Sequence, residues 1–320
     1  MEKFRTELPI TPAPSIDHRT SIVTTGSCFS DNIGQKLSEN KFRAMVNPLG
    51  TSYNPISIHK GLIATKPDES LFVESEGLWK HFDFHSRFAA GSKDEVRDLI
   101  FKQLPLHQSD LIVITYGTSW VYKHKATGKI VANCHKRPQA EFEKVLLSVD
   151  DILNSFAELR GFLEPKQRVI LTLSPVRHVK DTLELNSVSK SILRTAIYEI
   201  QKLFLNVDYF PAYEIMMDDL RDYRFYEADM IHPSAVAIDY IWEKFGERYF
   251  SKETKEVNVK WGKIKRSLDH RAFNEGTEDH KRFLKGVLKE LEEVSSALDV
   301  SNEINQIKSR LSWCCKRSMR

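Results

Sequence analysis

Three short runs of aliphatic and β-branched residues constrain the fold more than any other feature of this chain. They cover residues 21–25, 111–115 and 169–173, a length that is typical of buried strands. Hydrophobic residues with helical spacing follow at about 139–163 and 184–205. Strands that alternate with helices predict an α/β fold with a mostly parallel sheet that is covered on both faces.

Each of these runs stops at small or polar residues. Gly26 follows the first run, Gly117 closely follows the second, and Ser174 follows the third. In open parallel sheets the ligand binds beyond the carboxyl ends of the strands. We therefore expect the functional residues to gather at this edge of the sheet.

The chain changes character after residue 252. Charged residues dominate, and apolar residues recur at helical spacing from Phe283 to Leu298. We interpret residues 1–252 as one domain and 253–320 as a charged, helical C-terminal extension. The apolar face of its long helix either packs on the protein's own core or pairs with a partner, so a homo-oligomer through this helix is one expectation.

Composition and charge argue against several classes of protein. The 47 basic and 44 acidic residues leave a net charge of only +3, and no basic face with interleaved aromatics predicts a nucleic-acid partner. No apolar run is long enough to span a membrane, and the N-terminus lacks the apolar segment of a signal peptide. Cys28, Cys134, Cys314 and Cys315 fit neither a disulfide framework nor a zinc site. We therefore expect a cytoplasmic protein without metal or other cofactors.

The first candidate for chemistry is the turn Gly26-Ser27-Cys28-Phe29-Ser30 between the first strand and a helix. Free backbone N–H groups at a helix start stabilise an oxyanion, and the helix dipole lowers the pKa of a thiol there. The alternative is structural, with Ser27 as the helix cap and Cys28 as a small buried residue. His178 and His135 are interpreted as ordinary surface or core histidines.

The second candidate is Asp229-Met230-Ile231-His232, followed by Pro233 at the start of a helix. A carboxylate three residues before a histidine can accept a hydrogen bond from the imidazole and orient it as a general base.

These two motifs resemble the outer sequence blocks of the SGNH/GDSL hydrolases. The first is similar to the signature of the GSCFA family, a bacterial group placed among those hydrolases, except that Ser30 replaces alanine. The resemblance spans roughly residues 20–250. Its further motifs are Asn47-Pro48-Leu49-Gly50, Gly117-Thr118-Ser119-Trp120, Asn133-Cys134-His135 and Ser174-Pro175-Val176.

The resemblance implies a three-layer α/β/α fold with a flavodoxin-like sheet, and an esterase that acts through a covalent acyl-enzyme. Gly50 would donate its N–H to the oxyanion. The third block, at Gly117, normally ends in an asparagine that donates as well, but Ser119 stands there in this chain. A serine hydroxyl also donates, and Asn133 is an alternative source of an amide.

The nucleophile is either Cys28 or Ser27. Cys28 lies two residues after Gly26, where the superfamily has its serine, and we favour it because position decides which side chain faces the base. His232 is the predicted base and Asp229 orients it. The expected substrate is a small-molecule or carbohydrate ester, and we favour an O-acyl carbohydrate. The alternative is a catalytically altered protein of the same fold that binds a glycan-like ligand.

Overall fold

The computed structural model of the chain describes residues 8–270 and 277–317, with side chains as far as residue 312. The described chain divides into two compact units. The first unit comprises residues 8–10, 21–36 and 44–245, and the second comprises 11–20, 37–43 and 246–317. The boundary after residue 252 remains a prediction.

The regular elements alternate along most of the chain, as follows. The strands are β1 (Ser21–Gly26), β2 (Arg43–Val46), β3 (Phe72–Ser75), β4 (Leu78–His81), β5 (Leu111–Tyr116), β6 (Trp120–His124), β7 (Lys129–Val131), β8 (Phe142–Leu146), β9 (Arg168–Leu173) and β10 (Val207–Phe210). The helices are α1 (Cys28–Glu39), α2 (Pro55–Ile63), α3 (Lys93–Phe101), α4 (Val149–Phe162), α5 (Thr182–Leu203), α6 (Ala212–Glu214), α7 (Ala235–Tyr249), α8 (Lys252–Asp269), α9 (Glu278–Val294) and α10 (Ser301–Arg317).

The central sheet has five strands in the order β2-β1-β5-β9-β10. Parallel pairing joins β1 to β5, β5 to β9 and β9 to β10. This is the strand order of a flavodoxin-like sheet. The three predicted buried strands and the α/β class are therefore confirmed.

Helices cover both faces of this sheet. On one face, side chains of β1, β5 and β9 share a buried apolar cluster with α2, α4 and α5. Tyr209 of β10 belongs to that cluster, whereas the next residue, Phe210, meets the ring of Phe245 in α7. Lys36 of α1 is paired with Asp239 of α7. The first unit is thus a three-layer arrangement, with small antiparallel sheets made by β3-β4 and by β7-β6-β8.

One helix of the first unit is shorter than its sequence pattern predicts. The hydrophobic spacing over 139–163 predicts a helix, but residues Phe142–Leu146 form β8, and α4 begins only at Val149. Strand β8 pairs antiparallel with β6 over its whole length. Ser148 and Asp151 form a capping box, so the helix start is defined by hydrogen bonds that follow the strand.

The second unit contains three long helices where the sequence pattern predicts one. The predicted helix is present as α9, with Leu284 and Leu291 fully buried and Leu288 partly buried against α8 and α10. The leucines that led us to expect a homo-oligomer are covered inside this unit, and the oligomer stays a prediction. Among the described helices, none combines the length and apolar character needed to cross a membrane.

Candidate active site

The turn between β1 and α1 can be built only around Gly26. Its φ is +131°, and a Cβ at this position would come 2.2 Å from the carbonyl oxygen of Thr115 in the neighbouring β5. The backbone N–H of Ser27 donates to the same oxygen at 3.1 Å. The glycine therefore brings residues 27 and 28 to the carboxyl edge of the sheet.

Asn47 holds this turn in place from the end of β2. Its Oδ1 accepts a hydrogen bond from the backbone N–H of Gly26 at 2.9 Å, and its Nδ2 donates to Asp31 in the first turn of α1 at 2.7 Å. The side chain is buried. The Asn47 motif thus has a clear structural role beside the candidate nucleophile.

Ser27 and Cys28 differ in their access to solvent. Ser27 is fully buried, and its Oγ has no hydrogen-bond partner in the described structure. Cys28 is the first residue of α1, is half-buried and carries a free thiol. A substrate that approaches the sheet edge can therefore reach the thiol, while the hydroxyl is shielded.

The expectation that the helix start lowers the pKa of the Cys28 thiol is wrong. Burial raises this pKa, and the negative charge of Asp31 raises it further. The backbone N–H groups of Cys28 and Phe29 and the charge of Lys190 oppose the increase without overcoming it. The resting side chain is therefore a thiol, and it needs a base before it can attack.

Lys190 is a part of this site that the sequence analysis missed. It lies on α5 and is almost fully buried, and its Nζ donates to the carbonyl oxygens of Gly117 at 2.8 Å and Ser174 at 2.7 Å. Burial lowers its pKa to about 7. Two N–H groups remain on a neutral amine, so both carbonyls stay bonded whether the side chain is charged or neutral.

A signal for Lys190 is present in the sequence. The buried stripe of α5 continues at helical spacing from Ile200 back to Leu193, and then to Lys190, Ser189 and Asn186. Polar residues on the buried stripe of a helix indicate a polar site beneath it. In this fold that part of α5 lies beside the carboxyl ends of β5 and β9.

His178 lies beside Gly117. A Cβ on Gly117 would come 3.1 Å from the Nε2 of His178 and 3.3 Å from the Cβ of Ser27. In the part of the chain that the structure describes, that Nε2 is buried without a hydrogen-bond partner. Burial, and then the charge of Lys190, lower the pKa of His178 to about 4, so the imidazole is neutral at neutral pH. The histidine lies within the site, which the sequence pattern did not reveal.

Asp229 and His232 form the hydrogen-bonded pair that their spacing predicts. Nδ1 of His232 lies 2.7 Å from Oδ2 of Asp229, and Oδ1 accepts the backbone N–H groups of Ile231 at 2.8 Å and His232 at 3.0 Å. These bonds, first the one from the His232 backbone, lower the pKa of Asp229 to about 2. The pair is partly exposed. Within the described residues, His232 makes no hydrogen bond to Ser27 or Cys28, but its charge acts on His178.

The loop after β9 contacts the loop that carries this pair. The backbone N–H of Arg177 donates to the carbonyl oxygen of Ile231 at 3.4 Å. Its guanidinium carbon lies 4.2 Å from the ring centre of Tyr226 and 5.2 Å from that of Tyr223. The two loops therefore bring Arg177 and its neighbour His178 close to His232.

Two of the predicted oxyanion donors are already bonded. The backbone N–H of Gly50, whose φ is +83°, donates to the carbonyl oxygen of Asn47 at 2.7 Å. The hydroxyl of Ser119 is fully buried and lies 3.1 Å from the hydroxyl of Ser189. The expectation that these groups are free to bind an oxyanion therefore does not match the structure.

The remaining predicted residues also have internal partners. The backbone N–H of Gly117 donates to the carbonyl oxygen of Tyr53 at 2.8 Å. Oδ1 of Asn133 accepts the backbone N–H of His135 at 2.8 Å, a bond that does not use the amide N–H groups of the side chain. Asn133 and Gly50 line one small cavity of about 20 Å³, which has room for about one water molecule. In the described part of the chain, no group of three or more His, Cys, Asp or Glu side chains is arranged to hold a metal.

Two family models match this chain. The model of the GSCFA family matches residues 21–245, and that of the GSCFA domain protein C-terminal domain matches residues 261–313. No curated protein matches the sequence.

Two similar solved structures are both remote. One, from Streptococcus pneumonia, is described as a candidate platelet activating factor; it is 12% identical, with 72% of this chain and 83% of that chain covered and a TM-score of 0.39. The other is a carbohydrate esterase family 2 enzyme with a carbohydrate binding domain from Corynascus thermopiles. It is 12% identical, with 78% and 68% covered and a TM-score of 0.34.

Proposed function

Because the chain belongs to the GSCFA family, we propose that it hydrolyses an ester bond through an acyl-enzyme on Cys28, with His232 as the base. The observation that carries this proposal is the pairing of His232 with Asp229 at 2.7 Å. Since Asp229 binds Nδ1, it leaves Nε2 of the imidazole as the atom that exchanges protons with thiol, alcohol and water.

The reaction divides into two half-reactions. His232 takes the thiol proton, and the sulfur of Cys28 forms a bond to the carbonyl carbon while an electron pair moves onto the carbonyl oxygen. When the carbonyl re-forms, the ester C–O bond breaks and His232 gives its proton to the leaving alcohol. Water then attacks the thioester with His232 as base, the C–S bond breaks, and the thiolate regains its proton as the acid leaves.

We expect an O-acylated carbohydrate as the substrate, since the hydrolases that the chain resembles often remove acyl groups from sugars. Two exposed tyrosines support this expectation. Tyr53 lies edge-on to His178 with ring centres 5.4 Å apart, and Tyr223 lies below Arg177. Aromatic rings with a few polar groups are typical of sites for polar ligands such as sugars.

The decisive experiment is hydrolysis of p-nitrophenyl acetate and of an O-acetylated sugar by the full chain, with mass spectrometry of the protein after rapid acid quenching. We expect turnover and an acetyl group on the peptide that contains Cys28. If neither substrate is cleaved and no adduct forms, the proposal is wrong.

A glycan-binding protein without hydrolytic activity is the second candidate. The N–H of Gly50 and the hydroxyl of Ser119 favour this candidate. Both are already hydrogen-bonded within the protein, so two donors that a hydrolase of this type would use are occupied. Saturable binding of a glycan by calorimetry, together with no turnover of its acetylated form, would select this function.

A further inference from the structure

Ester hydrolysis needs hydrogen-bond donors for the carbonyl oxygen, which becomes negatively charged when the nucleophile attacks. In this site two of the donors expected from the sequence are bonded elsewhere, Gly50 to Asn47 and Ser119 to Ser189. The backbone N–H groups of Cys28 and Phe29 act on the thiol, and a hydrolase with this structure needs a further donor to replace the two that are lost.

We infer that His178 is this donor, and that its Nε2–H binds the carbonyl oxygen of the substrate while Cys28 attacks. The inference rests on the proposed function. Within the described residues, Nε2 is buried without a hydrogen-bond partner. It lies 3.1 Å from the point where a Cβ of Gly117 would be, and that point is also 3.1 Å from the carbonyl oxygen of Tyr53 and 3.3 Å from the Cβ of Ser27. The atom thus lies near the turn that carries the nucleophile. A buried donor without a partner destabilises the protein, unless a ligand supplies the acceptor.

The surroundings of His178 suit an uncharged donor. Burial and Lys190 lower its pKa to about 4, with His232 acting in the same direction and Asp181 opposing them. A neutral imidazole donates a hydrogen bond to an oxyanion without giving up its proton. The two histidines then have separate roles, since His232 with its carboxylate partner exchanges protons and His178 does not.

Neighbouring residues fix the position of this ring. The backbone N–H of His178 donates to Oδ1 of Asn186 at 3.0 Å, and Tyr53 packs edge-on against the imidazole. Gly117 has no side chain, which leaves the narrow space between Nε2, the carbonyl oxygen of Tyr53 and the Cβ of Ser27 unfilled by its own Cβ. A methyl group there would contact Nε2 and hinder the approach of a substrate oxygen to it.

The test compares kcat and KM for p-nitrophenyl acetate among full-length variants. His178→Ala should lower kcat by roughly 10²–10³-fold with little change in KM, because one oxyanion donor is lost. His178→Gln, which keeps an amide donor, should recover part of this loss, and Gly117→Ala should lower kcat by blocking the space. His124→Ala, on β6 of the small antiparallel sheet, is the matched histidine control and should leave kcat unchanged.

A second readout separates this role from a structural or basic one. The rate at which iodoacetamide alkylates Cys28 should be the same in His178→Gln and in the wild type, since alkylation forms no oxyanion. Unchanged kcat in folded His178→Ala, or an equal loss of kcat and of alkylation rate, would overturn the inference while leaving the esterase proposal standing. If the wild type cleaves no ester, both fall.

Discussion

Hydrogen bonds at a partly exposed loop hold Asp229 and His232, whereas burial at the start of α1 dominates the environment of Ser27 and Cys28. On the exposed side, three donors lower the pKa of the carboxyl group. On the buried side, desolvation raises the pKa of the thiol in spite of the helix start. A local pattern of residues can specify the first arrangement, while the second depends on what packs around it.

The largest effect that we expect comes from the buried side of the site. Cys28→Ala should lower kcat for p-nitrophenyl acetate by roughly 10⁵–10⁶-fold, because it removes the atom that forms the acyl-enzyme. Ser27→Ala is the matched neighbour and should retain most of the activity, since its hydroxyl is fully buried. An inactive Ser27→Ala beside an active Cys28→Ala, insensitive to iodoacetamide, would assign the nucleophile to the serine.

The second largest effect on kcat that we expect comes from the partly exposed pair of Asp229 and His232. His232→Ala should lower kcat by roughly 10²–10⁴-fold through loss of the general base, with circular dichroism that matches the wild type. Asp229→Asn should lower kcat by a smaller factor, because the imidazole remains and loses only the carboxylate that orients it. Near-normal turnover in folded His232→Ala would remove this histidine from the mechanism.

A stability measurement probes how the buried turn is held. Asn47→Ala should lower the free energy of unfolding by about 1–3 kcal/mol, since it leaves the N–H of Gly26 without its buried acceptor. Chemical denaturation would measure this change. Asn47 has a φ of +39°, so Asn47→Gly is the control that removes the side chain without backbone strain. If Asn47→Gly is as stable as the wild type, the hydrogen bonds do not hold the turn.

The comparison also explains what the sequence could predict. The three buried strands and the Asp229–His232 pair could be predicted because they depend on residues that are close together in the chain. The state of the Cys28 thiol could not, because burial by residues from distant parts of the chain is the main cause of its raised pKa, ahead of the nearby charge of Asp31. For the same reason the bond of Ser119 to Ser189 could not be predicted, whereas the bond of Gly50 to Asn47 is local and depends on the conformation of the turn. Only the polar residues on the buried face of α5 indicated that Lys190 belongs to the site.

Lys190 gives the most specific test of the buried side. Its pKa is lowered to about 7 in the folded protein, while an unfolded chain keeps the ordinary value of 10.5. Between these two values the unfolded chain binds more protons than the folded protein does, so stability rises with pH across this window. One such group contributes at most about 1.4 kcal/mol per pH unit to the free energy of unfolding. Lys190→Met should remove this contribution, and Lys202→Met, an exposed change on the same helix, should keep it. Urea denaturation at a series of pH values from 7 to 10 measures the slope, and an equal slope in wild type and Lys190→Met would mean that Lys190 is charged in the folded protein throughout that range.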